Sequence, residues 1–599
     1  MKFLPRVLDN SNLMILRTYY DGGTNDFQTP DDVLDIVYKD IDTGTIYTES
    51  IPNPKIEVYI VKPEKRTYQH YKAFVPIEDC DKYLVSYKFR YAEVANILGC
   101  ATKEAKYSKY VCQLDIDIEH YYMMQFYIEY DRKETKPITL GFSDIENDII
   151  QLEPGVFPEP GQAPINVVSY FDEATDTMYT VVCVQDNVPH VPEGHKRHEY
   201  YEKLRARFKT QTDYFVNHLD DLIEECKTDF TPIYGEIDYK ILVYEDEVSA
   251  LKAYWEIVEL CQNDYGLFWN APYDISNLVE RLRTLGIEPE SLIKSADFGD
   301  RKINWHEDRN PKAHKRKHIF DLFNKTSFID HLVLYAGVRS GRGKIPSLKL
   351  NAVGKTELED EKVDYSEYGN IRLFPYADFW KFIKYNIKDV LIEVGIERKV
   401  HDIDFLYMIM TTSALRIMEV FTSTLVVGGS LRLYSFIEKN HVMGSNKNKL
   451  FRVKKTAEQI KQEKKDKFAG AFVMNPAHCS PTGHVLLGIL NKYIHDYVID
   501  MDITSEYPTG MQISNSSNDT LVGKVFLNNP DEIEIELYQN MYFVDSDDEE
   551  GYYKTADKGN LMMEGLSENN PTAFGEVFLN LPSFTSIAEH IADNINDFI

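Results

Sequence analysis

The chain has 599 residues, 43% hydrophobic and 13% aromatic, with a formal net charge of −30 at pH 7. That length implies several domains, and so much apolar and aromatic material supports packed cores rather than general disorder. The acidic balance argues against a nonspecific basic nucleic-acid binder, although local positive charge is enough for a polymer-binding groove.

Residues 1–135 alternate short β-like runs, such as 56–61 and 82–87, with polar turns, and carry no motif with evident chemistry. From about residue 136 the pattern changes. Segments 138–144, 165–171 and 178–184 read as strands, the last two joined by the acidic turn 172–176, which predicts an antiparallel meander. Helical periodicity follows over 247–261, then a short apolar strand over 266–269 and a helix from about 275 to 285 closed by Gly286. Strands and helices mixed in this order predict an α/β layer architecture.

Asp144 and Glu146 form a D-x-E pair at the end of the first of these strands, and alternation places both side chains on one face. Carboxylates held so close repel unless cations neutralise them, and Mg²⁺ or Mn²⁺ suits an all-oxygen ligand set. Alone the pair says little, because the chain has 96 acidic residues. Asp274, in Asn270-Ala-Pro-Tyr-Asp274, is expected where the 275–285 helix begins, a position where N-capping alone explains an aspartate. Apolar residues at helical spacing from Phe379 to Val394 predict a helix that sets Tyr385 and Asp389 one turn apart on one face. There a carboxylate can hold a metal while the phenol orients a water.

Further along, the Lys/Glu-rich segment 453–467 is expected to be an exposed helix or linker before a glycine-containing loop at 468–471. In 497–509 an apolar run ends in Asp502 and a turn leads to Tyr507-Pro508, a layout that suits an acidic metal ligand at the end of a buried strand. Two basic stretches, 312–317 and 447–467, read most simply as solvated surface.

Taken in order, D-x-E, N-x-x-x-D and Y-x-x-x-D resemble the three exonuclease motifs of the DEDDy 3′–5′ exonucleases as family B DNA polymerases arrange them. Segments 327–335 and 347–353, with Glu357-Leu358, resemble the strand and helix between the second and third motifs. Residues 468–476 resemble the Y-x-G-like loop that links exonuclease to polymerase, and 502–509 resemble motif A of the palm. The whole resembles the N-terminal part of a polymerase of the bacteriophage T4-like type. The resemblance implies an α+β N-terminal domain over 1–135, with part of 400–465 packing on it. It implies an RNase H-like exonuclease domain over 136–399, a helical connector over 400–465 and a partial palm over 466–599.

By the same resemblance Asp144, Glu146, Asp274 and Asp389 hold two Mg²⁺ or Mn²⁺ ions for 3′–5′ hydrolysis, and Tyr385 orients the water. Asp502 binds the two polymerase metals, Ile503, Thr504, Ser505, Glu506 and Tyr507 cradle the dNTP, and Asn270, Phe468 and Gly470 contact DNA. Glu506 departs from the motif, which usually has an apolar residue there; a carboxylate beside a triphosphate repels it unless the side chain points away. No K-x-x-x-N-S-x-Y-G follows Thr509. Asp545 and Asp547 imitate the second palm carboxylate motif but lie too close to motif A, and an acidic hairpin turn fits them better. A second polypeptide carrying fingers, thumb and the rest of the palm is therefore expected, with a sliding clamp reached through it. The DNA partners expected are a primer-template and a single-stranded 3′ end.

No apolar run reaches ~18 residues, so no membrane span is expected. The first twenty residues lack an apolar core and cleavage site, so no signal peptide is predicted. Seven cysteines without a CxxC fit a reducing, cytoplasmic compartment, that of the host if a phage encodes the chain. Two other functions fit the same motifs: a free-standing DEDDy nuclease whose motif A is a relic, and a nucleic-acid-binding scaffold without catalysis.

Overall fold

The computed structural model describes residues 13–24, 29–66, 74–106, 108, 110–130, 138–153, 155–341 and 345–445, and the backbone of six strands between 521 and 578. Phe468, Gly470, Asp502, Ile503, Thr504, Ser505, Glu506, Tyr507, the Asp545 and Asp547 pair and the segment 453–467 lie outside the described residues. Two compact units emerge: Met1–Ile56 with Ser86–Lys88 and Asp117–Ile437, and Glu57–Val85 with Phe89–Ile116 and Glu438–Ile599.

The first unit opens with an antiparallel sheet of β1 (Leu13–Asp21), β2 (Val33–Asp40) and β3 (Ile46–Pro52). The second unit takes up β4 (Lys55–Val61), which lies between β6 (Cys80–Ser86) and β7 (Val111–Cys112) in one sheet. It also holds β5 (Phe74–Pro76) and the helices α1 (Arg90–Leu98) and α2 (Thr102–Lys106). Helix α3 (Ile118–Tyr130) returns the chain to the first unit.

The centre of the first unit is a six-stranded mixed sheet. Its strands are β8 (Leu140–Asn147), β9 (Ile165–Asp172), β10 (Thr177–Cys183), β11 (Asp238–Tyr244), β12 (Tyr265–Phe268) and β15 (Ser327–Asp330). The spatial order is β11-β10-β9-β8-β12-β15. The β8-β9-β10 meander is antiparallel, as its acidic turn predicts, whereas β12 and β15 run parallel to β8. Strand β8 continues three residues beyond the predicted end, because its ladder with β9 carries on to pair Asn147 with Ile165.

Helices cover both faces of this sheet. On one side α6 (Glu247–Cys261) and α7 (Ala271–Thr284) bury Trp255, Tyr254, Leu278 and Leu282 against Ile145, Val168, Val181 and Phe268. On the other lies α11 (Phe379–Val400), capped at its start by the Asp378 carboxylate, which accepts the Lys381 N–H at 2.9 Å. Its buried Phe382, Ile383, Ile387, Val390, Leu391 and Val394 each contribute roughly 1.5–3 kcal/mol.

Between β10 and β11 the helices α4 (His198–Asn217) and α5 (Leu219–Tyr234) buttress α11 from behind. Phe208 and Phe215 meet Phe379 edge-on at 5.4 and 5.3 Å. Between β12 and α11 run a hairpin of β13 (Asn304–His306) and β14 (Ile319–Asp321), then α8 (His331–Val338), α9 (Leu350–Leu358) and the short α10 (Phe374–Ala377). The basic segment 312–317 is the connection within that hairpin. Lys312, Lys315 and Lys317 are exposed there, while Ala313 is buried against Leu332 and Ala336 of α8.

The first unit continues through α12 (Asp402–Ser413) and into α13 (Ser423–Lys439). In the second unit β16 (His441–Met443) pairs with β5. Strands β17 (Leu521–Asn529), β18 (Glu532–Leu537), β21 (Asn560–Met562) and β22 (Thr572–Phe578) form one sheet, and β19 (Tyr542–Val544) pairs with β20 (Tyr553–Thr555). No helix among the described residues is long and apolar enough to cross a membrane.

Candidate metal centre

Parallel strands β8, β12 and β15 all end at the same edge of the sheet, the edge where α/β sheets bind ligands. Strand β8 supplies the first side chains by simple alternation. Ser143 and Ile145 face α6, where the Ser143 hydroxyl lies 3.1 Å from that of Tyr254, so Asp144 and Glu146 face α11.

Helix α11 answers with Asp389. Asp144, Glu146 and Asp389 each present a carboxylate oxygen, and these three atoms lie within 4.8 Å of one another. Asp144 and Glu146 are half-buried and Asp389 is buried. Asn386 of α11 donates to Asp144 Oδ2 at 2.8 Å, which ties the helix to the strand. Tyr385, one turn before Asp389, hydrogen-bonds it.

Asp274 stands apart from those three. The sequence suggests it at the start of a helix near residue 275, but α7 begins four residues earlier, at Ala271. Asn270 takes the left-handed conformation (φ 73°) as N-cap, and Pro272, with its fixed φ, opens the first turn. Asp274 therefore does not cap its own helix. Its carboxylate accepts the Ile145 N–H of β8, beyond the stretch 140–142 where β12 pairs with that strand. This sets it beside Asp144. Burial, then the Asp144 charge, push Asp274 well above the usual carboxylate range.

The same two influences act across the centre. Burial and Asp389 push Asp144 up; burial, Asp144 and Asp389 push Glu146 up. The nearest opposing cation among the described residues is Lys362, with Lys388 a lesser influence on Asp389. Lys362, in the loop after α9, pairs with Asp389 Oδ2 and lies 3.3 Å from the Tyr385 hydroxyl. Burial works against the Lys362 charge, but Asp389, Asp144 and Glu146 outweigh it and hold the ammonium protonated. Asp389 Oδ1 remains buried without a hydrogen-bond partner. Converging anionic oxygens, one of them unpaired, fit a hard divalent cation.

Two groups of residues here escape the sequence motifs. Lys362 is a lone cation in the acidic run 357–364, and that contrast is its sequence signal. Glu393, one turn beyond Asp389 on α11, is a buried acid within an apolar stripe. It faces His331, and the two sit beneath the carboxylates.

A separate cavity of about 1090 Å³, lined by Arg17, Tyr19, Arg301, Lys317, Phe320 and Arg416 among others, includes none of the candidate ligands. Asn270, expected against DNA, is placed at the head of α7 beside the carboxylate-bearing edge of the sheet.

No family model matches the chain. Among curated proteins, the DNA-directed DNA polymerase of Escherichia phage RB69 is 24% identical over 383 residues, which cover 63% of this chain and 35% of that polymerase. The chain thus spans about a third of the length of the curated relative it matches. Over that stretch the chain is distantly similar to a DNA-directed DNA polymerase.

Proposed function

We propose, from that polymerase relationship, that the chain is the exonuclease-bearing N-terminal part of a family B DNA polymerase. In this proposal it trims DNA 3′ ends and contributes Asp502 to a polymerase site that a second polypeptide completes. The carrying observation is the convergence of Asp144, Glu146 and Asp389 within 4.8 Å on the α11 side of the sheet. The strand order, an antiparallel meander whose first strand is followed in the sheet by parallel β12 and then β15, supports an RNase H-like domain.

Asp144, Glu146, Asp274 and Asp389 are the proposed ligands of two Mg²⁺ or Mn²⁺ ions. Bound there, the ions would supply Lewis-acid stabilisation of an in-line phosphoryl transition state. Tyr385 holds a phenol proton at the same carboxylates; burial and then Asp389 raise its pKa far above the ordinary value. The phenol therefore stays protonated; its single proton lies toward Asp389, and turned to a water it would orient that water by donation. Lys362 donates to Asp389 and Tyr385 and sets their separation. A terminal phosphodiester is hydrolysed, and the 3′ nucleotide leaves as a monophosphate.

The test is trimming of a labelled primer in Mg²⁺, with Asp144→Ala as control. Loss of trimming in the variant supports the site; equal trimming by both chains overturns it.

A further inference from the structure

Glu393 and His331 take no direct part in the centre just described, yet both are fully enclosed. Glu393 is 1% exposed and His331 0%. Both ring nitrogens of His331 are engaged: Nδ1 lies 3.0 Å from Glu393 Oε1, and Nε2 lies 3.2 Å from Glu397 Oε2. An imidazole held at both nitrogens by carboxylates is an imidazolium, and a metal ligand needs a free nitrogen. The cluster is therefore a charge clamp and not a second metal site.

Three segments of the candidate centre meet at this clamp. Glu393 lies one turn beyond Asp389 on the helix that also carries Tyr385 and Asn386. Its carboxylate accepts the backbone N–H of Trp269, the residue just before the left-handed Asn270 and the helix that carries Asp274. His331 begins α8 directly after β15, which pairs with β12, and the preceding Asp330 accepts the Asn270 N–H. The His331 ring lies 5.3 Å from the Trp269 ring and 6.2 Å from that of Phe142, two residues before Asp144 on the same face of β8.

A purely stabilising role explains this poorly. Buried ion clusters can often be replaced by apolar side chains at little cost, whereas an apolar cluster could not bond the Trp269 N–H. The charge is also felt where the metals are proposed, since Glu393 adds to the upward push on both Asp144 and Asp274.

We infer that Glu393, clamped by His331, is a positioning residue that fixes Asp389 of α11 against the β12–α7 junction, just before the helix that carries Asp274. The inference rests on the proposed metal centre. It assigns the spacing of ligands from two separate elements to one carboxylate that touches neither ion nor substrate. Outer partners of this kind typically change metal affinity about 10–100-fold when altered.

The test uses the full chain and titrates Mn²⁺ by EPR, alongside thermal melting and primer trimming. Glu393→Gln keeps the size and the Trp269 acceptor but removes the charge that holds the imidazolium. It should melt below the parent, because a buried imidazolium loses one of its two carboxylates, bind Mn²⁺ at least about tenfold more weakly while folded, and recover trimming at high Mn²⁺. A second chain, His331→Leu with Glu393→Leu and Glu397→Gln, replaces the clamp by packing. It should recover melting without recovering Mn²⁺ affinity, and it decides the matter should Glu393→Gln melt below the assay temperature. Parental Mn²⁺ affinity in either folded variant overturns the inference. Asp144→Ala separates the two claims: if it leaves Mn²⁺ binding unchanged, the metal centre itself is wrong. If Asp144→Ala abolishes binding and Glu393→Gln does not weaken it, only the positioning role falls.

Discussion

Asp389 gives its two oxygens unequal surroundings, with Oδ2 on the Lys362 ammonium and Oδ1 buried and unpaired. An unpaired buried acceptor costs about 1–3 kcal/mol, which a divalent ion would relieve. Under the proposed metal centre, Lys362 would both support the metal-free protein and compete for Asp389. Lys362→Met should destabilise the metal-free chain by about 1–3 kcal/mol and enlarge the rise in melting temperature that Mn²⁺ produces. An equal rise in both chains would show that the ammonium does not compete. His331 offers a pH test. Burial opposes its charge, but hydrogen bonds to Glu393 and Glu397 outweigh this and lift its pKa from 6.5 to about 10. A folded pKa above the unfolded one gives stability that is complete below pH 6.5 and lost as pH rises through 10. Melting of the parent in EDTA should thus fall more steeply between pH 6.5 and 10 than melting of the leucine-replaced clamp. Parallel curves would exclude a protonated His331.

At the scale of elements, α9 sits close against α11 because both are cut back to glycine at the crossing. A Cβ on Gly354 would lie 2.8 Å from Ile392 Cγ2, and one on Gly395 would lie 2.8 Å from Leu358 Cδ1. The loop that carries Lys362 leaves the end of α9, so this spacing sets the reach of its ammonium. Gly354→Val should cost about 1–3 kcal/mol by overpacking. It should also mimic Lys362→Met in Mn²⁺ melting, whereas an unchanged Mn²⁺ response would separate the loop from the helix contact. The β13–β14 connection carries its own prediction. Changing Lys312, Lys315 and Lys317 to Ala should weaken binding of every single-stranded sequence alike and lower the salt slope by up to about 2. A measured slope equal to that of the parent would remove these lysines from the DNA path. Both the β8 alternation and the i, i+4 pair on α11 were legible in the sequence, since each depends on one periodic element. The start of α7 was not, because a left-handed Asn270 and Pro272 set it while Asp274 looks like a cap. Lys362 and the His331–Glu393 contact were not legible either, since each joins residues from different elements that only the tertiary fold brings together.

For the whole molecule, the net charge of −30 places any DNA-binding groove in a repulsive background, so binding should depend on local cations and added Mg²⁺. Under the proposed function the two activities should separate by residue. Asp502→Ala should abolish nucleotide incorporation in the presence of the second polypeptide and leave trimming by this chain unchanged; loss of trimming would contradict the division. A final consequence follows from the bond between Asn386 and Asp144, which spans 242 positions of sequence. Contacts so distant along the chain form late, because a long loop must close first. A ribosome makes Asp144 and Glu146 long before it makes α11. A product of interrupted translation that ends before α11 therefore contains Asp144 and Glu146 but not the carboxylate cluster they form with Asp389. Under the proposed function, the order of synthesis itself would keep an unfinished protein from attacking DNA ends.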